Sequence, residues 1–331
     1  MTNRKAFHRS LLRWYANHGR DLPWRRTRDP YAVLVSEFML QQTQVATVRA
    51  YYIDWLKRWP TFTALARAPE QDVLRAWEGL GYYSRARNLH ATAKLVQDRH
   101  RGALSPVIAD LRTLPGVGKY TAHAVASFAF NRPVPIVEAN TTRVLARLFN
   151  LRTPIDSAAG QRRLWRHAAN LVPKRASAVF HSALLDLGAL VCLPRKPRCT
   201  ICPVQRFCRA KTPAALPIRR PRPPAQQLIE NHSFILNQNR ILLEPAARRW
   251  RNLWILPPLE LDRLNRSSLP QPLYEAVFGF THHRVMLRVF RERAGKIDNA
   301  GRRWFAIREL ESIPIPSPHR RAIVALLDRE R

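Results

Sequence analysis

Along the first two hundred residues, apolar side chains recur every three or four positions. The spacing predicts helices over 31–58, 71–98, 119–130, 141–149, 161–171 and 176–190, punctuated by Pro and Gly. Almost nothing here alternates as a strand would, so Phe7 to about Arg209 reads as an all-α domain. Leu11, Leu12, Trp14 and Tyr15 give the acid-free N-terminus the spacing of an amphipathic first helix rather than a removable targeting segment. Residues 211–227, KTPAALPIRRPRPPAQQ, hold five prolines and three arginines and predict a semi-rigid linker.

Beyond the linker the texture changes. Ser233–Leu236 and Ile241–Leu243 flank Asn237-Gln238-Asn239-Arg240 as hairpin strands would, and Glu275–Phe280 and Val285–Phe290 read as further strands. A last helix is expected over 319–329. The fold class is therefore α followed by α+β: a helical domain over 1–210 and a smaller α+β domain over 228–331.

Composition narrows the partners. The chain has 331 residues, 46% hydrophobic and 24% charged, which is a globular balance, and no apolar run is long enough to span a membrane. A formal charge of +33 repels itself unless a polyanion is the normal partner, which points to nucleic acid. The expected location is the bacterial cytoplasm, on the nucleoid, and the expected state a monomer.

All four cysteines fall in one C-x6-C-x2-C-x5-C array, Cys192, Cys199, Cys202 and Cys208. Such density in disulfides belongs to small secreted scaffolds, so the array points to a metal centre. Zinc ribbons carry two C-x2-C pairs and this array has one; a [4Fe–4S] cluster also takes four cysteines and tolerates uneven spacing. Arg195, Lys196 and Arg198 ride on the loop between the first two cysteines, where they can press on phosphates. Upstream, Leu114-Pro115-Gly116-Val117-Gly118-Lys119 lies between two helical patterns. Gly116 and Gly118 permit a tight turn with N–H groups facing outward at a helix start, an anion site beside Lys119.

These stretches, with LPW at 22–24, SEFMLQQTQVATV at 36–48, GLGYYSRARNLH at 79–90, LPGVGKYTA at 114–122, RVLAR at 143–147 and DLGA at 186–189, resemble the helix-hairpin-helix DNA glycosylases of the endonuclease III superfamily, and within them the adenine DNA glycosylase branch. The resemblance covers the first two hundred residues densely. It implies double-stranded DNA holding adenine opposite 8-oxoguanine or guanine as substrate, a base turned out of the stack, hydrolysis of its N-glycosidic bond, and a [4Fe–4S] cluster on the four cysteines. It assigns Gln41 or Gln42 to the gap left in the duplex and Tyr82 to a wedge beside the opposite base. Trp24, Arg25 and Asn140 line the base pocket by the same resemblance.

Adenine leaves badly as an anion, so an acid must protonate it, while a carboxylate steadies the cationic sugar. Glu37 is the candidate acid: on a helix it neighbours Val33, Leu34, Leu40 and Gln41, surroundings that raise its pKa. The second acid departs from the family pattern, Glu138-Ala139-Asn140 standing where Asp-Gly-Asn is usual. The added methylene moves the carboxylate on the order of 1 Å, a displacement worth ~10²-fold in rate. Glu138 also reads as an acid before a helix starting at Thr141, with Asn140 as its cap. Tyr120 occupies the place of the Schiff-base lysine of bifunctional relatives, which predicts little or no strand cleavage.

The resemblance extends to a Nudix-like C-terminal domain that reads the oxidised guanine, with Phe280-Thr281-His282 at the matching place. No Gly-rich, Glu-dense metal-binding stretch lies between 240 and 275, so nucleotide hydrolysis is not expected there. Two rival readings share these residues. One is a glycosylase for T:G or another mismatch; the other is a lesion-binding protein whose chemistry is impaired by Glu138.

Overall fold

Helices begin where a polar side chain can take the orphan N–H groups of an apolar segment. Asn3 caps α1 (Arg4–His18), Asp29 caps α2 (Pro30–Leu40) with proline at its first position, and Ser157 caps α10 (Ala158–Leu171). The computed structural model describes residues 3–221, 223–260, 271–293 and 301–330. It divides into two compact units, Met1–Ala66 with Ala91–Pro221, and Arg67–His90 with Arg222–Arg331.

In the first unit, the apolar run expected over 31–58 is two helices, α2 and α3 (Val45–Arg58), parted at Gln42, whose φ is +57°. Every residue from Tyr31 to Met39 is buried, so α2 is the central helix and packs against α3 and α8 (Lys119–Phe128). The short α7 (Ile108–Leu111) and α8 enclose the glycine turn, where Gly116 takes φ +73°. Helix α9 (Ala139–Leu148), α10 and α11 (Ser177–Asp186) bury Leu145, Leu164 and Phe180 with Phe7 and Leu11 of α1 in one core. A single π-helical turn, Leu187–Val191, leads from α11 to the first cysteine. Proline-rich residues 213–220 run back along this unit: Ile155 N–H donates to the Ile218 carbonyl at 2.9 Å and Arg147 Nε to that of Leu216 at 3.0 Å.

In the second unit, strand β1 (Gln226–Phe234) starts inside the expected linker because Gln226 and Gln227 pair with β6 (His283–Arg291). The sheet order is β1-β6-β5, with β5 (Tyr274–Phe280) antiparallel to β6 and β1 parallel to it. The hairpin around Asn237–Arg240 joins β2 (Leu236–Asn237) to β3 (Arg240–Pro245), which also pairs with β4 (Trp254–Ile255) and β7 (Arg303–Ala306). Helix α12 (Ser317–Glu330) covers this core through Ala322, Ile323 and Leu326, against Phe234, Leu243 and Leu287. Arg67–His90 belongs to this unit through long-range ties: Glu78 pairs with Arg320, and Asn252 Nδ2 donates to Glu70 Oε1 at 2.7 Å. After the short α4 (Phe62–Arg67), the run expected over 71–98 is broken between α5 (Glu70–Ala76) and α6 (Ser84–His100) by Gly79 and Gly81, both at positive φ.

Candidate active site

Glu37 is the one charged residue of the buried run in α2, and only 4% of it is exposed. Its Oε2 has no hydrogen-bond partner. Burial pushes the carboxyl up to about 7; the charge of Glu138 acts in the same direction, and a hydrogen bond with Tyr120 opposes both. Tyr120, one residue into α8, is itself driven well above the ordinary phenol range, first by burial and then by Glu37 and Glu138. At neutral pH its hydroxyl is therefore a donor to the carboxyl it faces, not a phenolate.

Glu138 sits outside α9 and caps it directly. Its carboxylate accepts from Thr141 N–H at 2.6 Å, and Thr141 Oγ1 accepts from Glu138 N–H at 2.8 Å, a reciprocal capping box. This corrects the sequence expectation: the helix starts at Ala139, not Thr141, and Glu138 rather than Asn140 is the cap. The glutamate side chain folds back onto N3. Burial raises its pKa, while the Asn140 and Thr141 hydrogen bonds and the charge of Arg143 work against that rise.

Both carboxyls line one cavity of about 310 Å³ together with Trp24, Arg25, Tyr120 and Asn140. That volume lies at the small end for ligand pockets and suits a single flat ring system. Trp24 is buried, edge-on to Tyr52 at 5.5 Å. Arg25 is locked by Asp186, Nη1 to Oδ2 at 2.7 Å and Nη2 to Oδ1 at 2.8 Å, and Arg20 reaches the same carboxylate through its backbone N–H and its guanidinium. Asp186 is fully buried, and although burial is the largest influence on it, the two arginines hold its pKa below the usual value. It was missed as a site residue. Its signal was an acid in the DLGA stretch, but its partners lie far up the chain.

Asn140 Nδ2 lies 3.4 Å from Glu138 Oε2, and its Oδ1 accepts from Arg143 Nη2 at 2.8 Å. The same guanidinium donates to the Gly188 carbonyl at 2.7 Å and, through Nε, to the Cys192 carbonyl at 2.7 Å. A Cβ at Gly188 would stand 2.7 Å from Asn140 Cβ, so a side chain there would displace the asparagine. Arg143 thus ties the cavity wall to the cysteine loop, a role the RVLAR stretch did not announce. Arg147, one turn on and buried, donates to Cys192 Sγ at 3.3 Å and to the carbonyls of Leu193 and Pro194 at 2.7 Å.

All four cysteines line a second cavity, of about 430 Å³, that also contains Arg147. Among the described residues no three His, Cys, Asp or Glu side chains stand in metal-binding geometry. None of the four is in a disulfide, and burial, with the charges of the neighbouring cysteines, pushes the Cys202 thiol up to about 11.

Other expected contact residues take surface positions. Gln41 ends α2 with Nε2 3.4 Å from Thr121 Oγ1, and Gln42 is exposed. Gly116, Gly118 and Lys119 are exposed at the start of α8, as are Arg195, Lys196 and Arg198 on the cysteine loop. In the second unit, Tyr82 has φ +48° and is 38% exposed, with the Arg85 guanidinium 5.7 Å from its ring. Thr281, at φ +51°, and His282 form the exposed turn between β5 and β6, and Arg249 lies 4.5 Å over the Phe280 ring.

Residues 35–169, which include the glycine turn and both cavity carboxyls, match the profile of the HhH-GPD superfamily of base excision DNA repair proteins. The human adenine DNA glycosylase is 45% identical over 215 residues, 62% of this chain and 39% of its own length, so the match spans about two fifths of that relative. The adenine DNA glycosylase of Mycolicibacterium smegmatis is 40% identical over 269 residues, 80% of this chain and 91% of its own. By this similarity the chain belongs to the adenine DNA glycosylase family. Among solved structures, that of a thermostable thymine-DNA glycosylase, 32% identical, superposes with a TM-score of 0.58 over 63% of this chain and 96% of that one. Among the described residues no helix is long and apolar enough to cross a membrane.

Proposed function

We propose that the chain hydrolyses the N-glycosidic bond of adenine mispaired with 8-oxoguanine or guanine in double-stranded DNA. The observation that carries this reading is the Glu37 carboxyl, dry at a cavity wall, with an unpartnered oxygen and a pKa of about 7. Such a group holds a proton at neutral pH and is strong enough to give it up. It protonates the extruded base as the bond to the sugar weakens. Glu138, fixed by its capping bonds, sets its negative charge beside the sugar cation, and that charge in turn keeps Glu37 protonated. Tyr120 orients the Glu37 carboxyl, and Asn140 steadies Glu138. Water then adds to the sugar cation and loses a proton, and because a phenol cannot form a Schiff base the reaction ends at the abasic site.

Trp24 and Arg25 wall the base pocket, with Asp186 holding the guanidinium in place. Gln41 or Gln42 fills the gap in the duplex and Tyr82 wedges beside the opposite base. Gly116, Gly118, Lys119, Arg195, Lys196 and Arg198 hold phosphates. Phe280, Thr281 and His282, in a Nudix-like lesion-reading domain, address the oxidised guanine. Cys192, Cys199, Cys202 and Cys208 would hold a [4Fe–4S] cluster. The donor set fits it: four thiols share one cavity, and the buried Arg147 guanidinium donates to Cys192 Sγ. Bound there, a cluster supplies a rigid staple for the phosphate-facing loop. The protein acts as a monomer in the bacterial cytoplasm, on the nucleoid.

Likeness to the thymine-DNA glycosylase structure favours a second reading, excision of thymine opposite guanine. Single-turnover assays on duplexes holding A opposite 8-oxoguanine, A opposite G and T opposite G separate the two. Fast release of adenine with little thymine is the expected result. Thymine as the preferred product, or binding without release of either base, would overturn the reading.

A further inference from the structure

Lys119 follows the turn glycines directly, yet its ammonium does not face Glu37. It lies 3.7 Å from the centroid of the Trp165 ring on α10, a close cation–π contact. Trp165 is in turn braced edge-on by His123, 5.0 Å between centroids, and His123 Nδ1 is 2.8 Å from the Pro135 carbonyl. Burial lowers the His123 pKa, and Lys119 and Arg112 lower it further, so the imidazole that supports the stack is neutral. The tryptophan therefore turns Lys119 sideways, towards Arg162 and Arg166.

Those two arginines are one helical turn apart and, with Gln161, Trp165 and Lys119, surround an open concavity. Residues at that spacing stand roughly 5–6 Å apart at Cβ, close enough for both to grip one small anion. Helix α10 contains no acid, and among the described residues none of the three cations is in an ion pair. Three like charges held around one hollow with no counter-charge repel each other, and a bound anion relieves that repulsion. Space above Gly118 is clear, so a strand resting on the turn can run on to α10 without obstruction.

We propose that Lys119, Arg162 and Arg166, grouped around Trp165, form a phosphodiester-binding pocket that carries the anion site of the glycine turn onto α10. The ligand is a backbone phosphate of the DNA strand, and this inference rests on the reading of the chain as a DNA glycosylase. Trp165 is a positioning residue: it holds Lys119 over the hollow rather than reading a base.

The test measures affinity of the full chain for a short, fully paired, fluorescently labelled duplex across a range of KCl. For Arg162→Gln/Arg166→Gln the slope of log affinity against log salt should become shallower by about 0.9, the contribution of the one phosphate the pocket holds. Trp165→Leu, which frees Lys119, should remove part of that ~0.9. Arg9→Gln/Arg13→Gln on α1 lowers net charge equally away from the pocket and should change the slope by less than half as much. Arg162→Lys/Arg166→Lys should retain the wild-type slope, which separates lost charge from lost folding. A slope for the double glutamine variant equal to that of the α1 variant overturns the proposal. Absence of salt-dependent duplex binding by the wild-type chain overturns the DNA reading itself, whereas wild-type binding with an unaltered variant slope removes only this pocket.

Discussion

Replacing Glu37 with glutamine keeps the side chain's shape and removes its proton equilibrium, so the two proteins should differ in stability only where Glu37 is forced to ionise. Its pKa rises from an ordinary 4.5 to about 7 on folding. A group raised in this way contributes stability that is fully present below 4.5 and is lost as pH rises towards 7. At 1.36 kcal/mol per unit, wild type loses about 2.5 kcal/mol relative to Glu37→Gln between pH 5 and pH 8. Almost complete burial of the carboxyl means that solvent screening takes little from this figure. For a unit of this size that corresponds to a relative gain of roughly 5–10 °C in melting temperature for the variant at pH 8. Thermal unfolding of both proteins at the two pH values provides the assay, and titrating groups not coupled to Glu37 cancel in the difference. A melting difference that stays constant from pH 5 to pH 8 would refute the claim that Glu37 is held protonated by burial.

Glu138→Asp retains a competent cap, so stability should change by under about 1 kcal/mol, but the shorter carboxylate cannot both reach Thr141 N–H and face the cavity; single-turnover excision should fall by up to ~10²-fold. Asp186→Asn leaves two arginines around a buried neutral group and should cost about 3 kcal/mol in a denaturant melt, with weaker substrate binding as Arg25 loosens. Cys199→Ser should abolish the broad visible absorption expected of an iron–sulfur cluster and lower affinity for duplex DNA through the Arg195–Arg198 loop; a colourless, zinc-loaded wild-type protein would contradict the cluster assignment.

What could be read in the chain beforehand was whatever local pattern determines. The neighbours of Glu37 on one helical surface predicted its dry environment, and burial of Val33 and Leu34 explains why. Strands β3, β5 and β6 were legible in outline because period-two alternation survives at a sheet with one covered face, whereas most of β1 and all of β4 and β7 were not. Helix breaks at Gln42 and at Gly79–Gly81 were not, since the apolar spacing continues across them and only a positive φ marks the turn. The cap of α9 went to Asn140 on propensity, whereas Glu138, two residues earlier, reaches N3 and completes a box with Thr141. Asp186, Arg143 and the tie between Glu78 and Arg320 escaped for one reason: each acts on a group distant in sequence, and charge placement carries no period that announces its partner.

The proton on Glu37 is the centre of the account, and the pH dependence of adenine release tests it most directly. Single-turnover excision from a duplex holding A opposite 8-oxoguanine should hold level up to about pH 7 and then fall close to tenfold per pH unit as the carboxyl ionises, with Glu37→Gln binding the duplex but releasing no adenine. A rate that stays level to pH 9, or a glutamine variant that excises as fast as wild type, would contradict it.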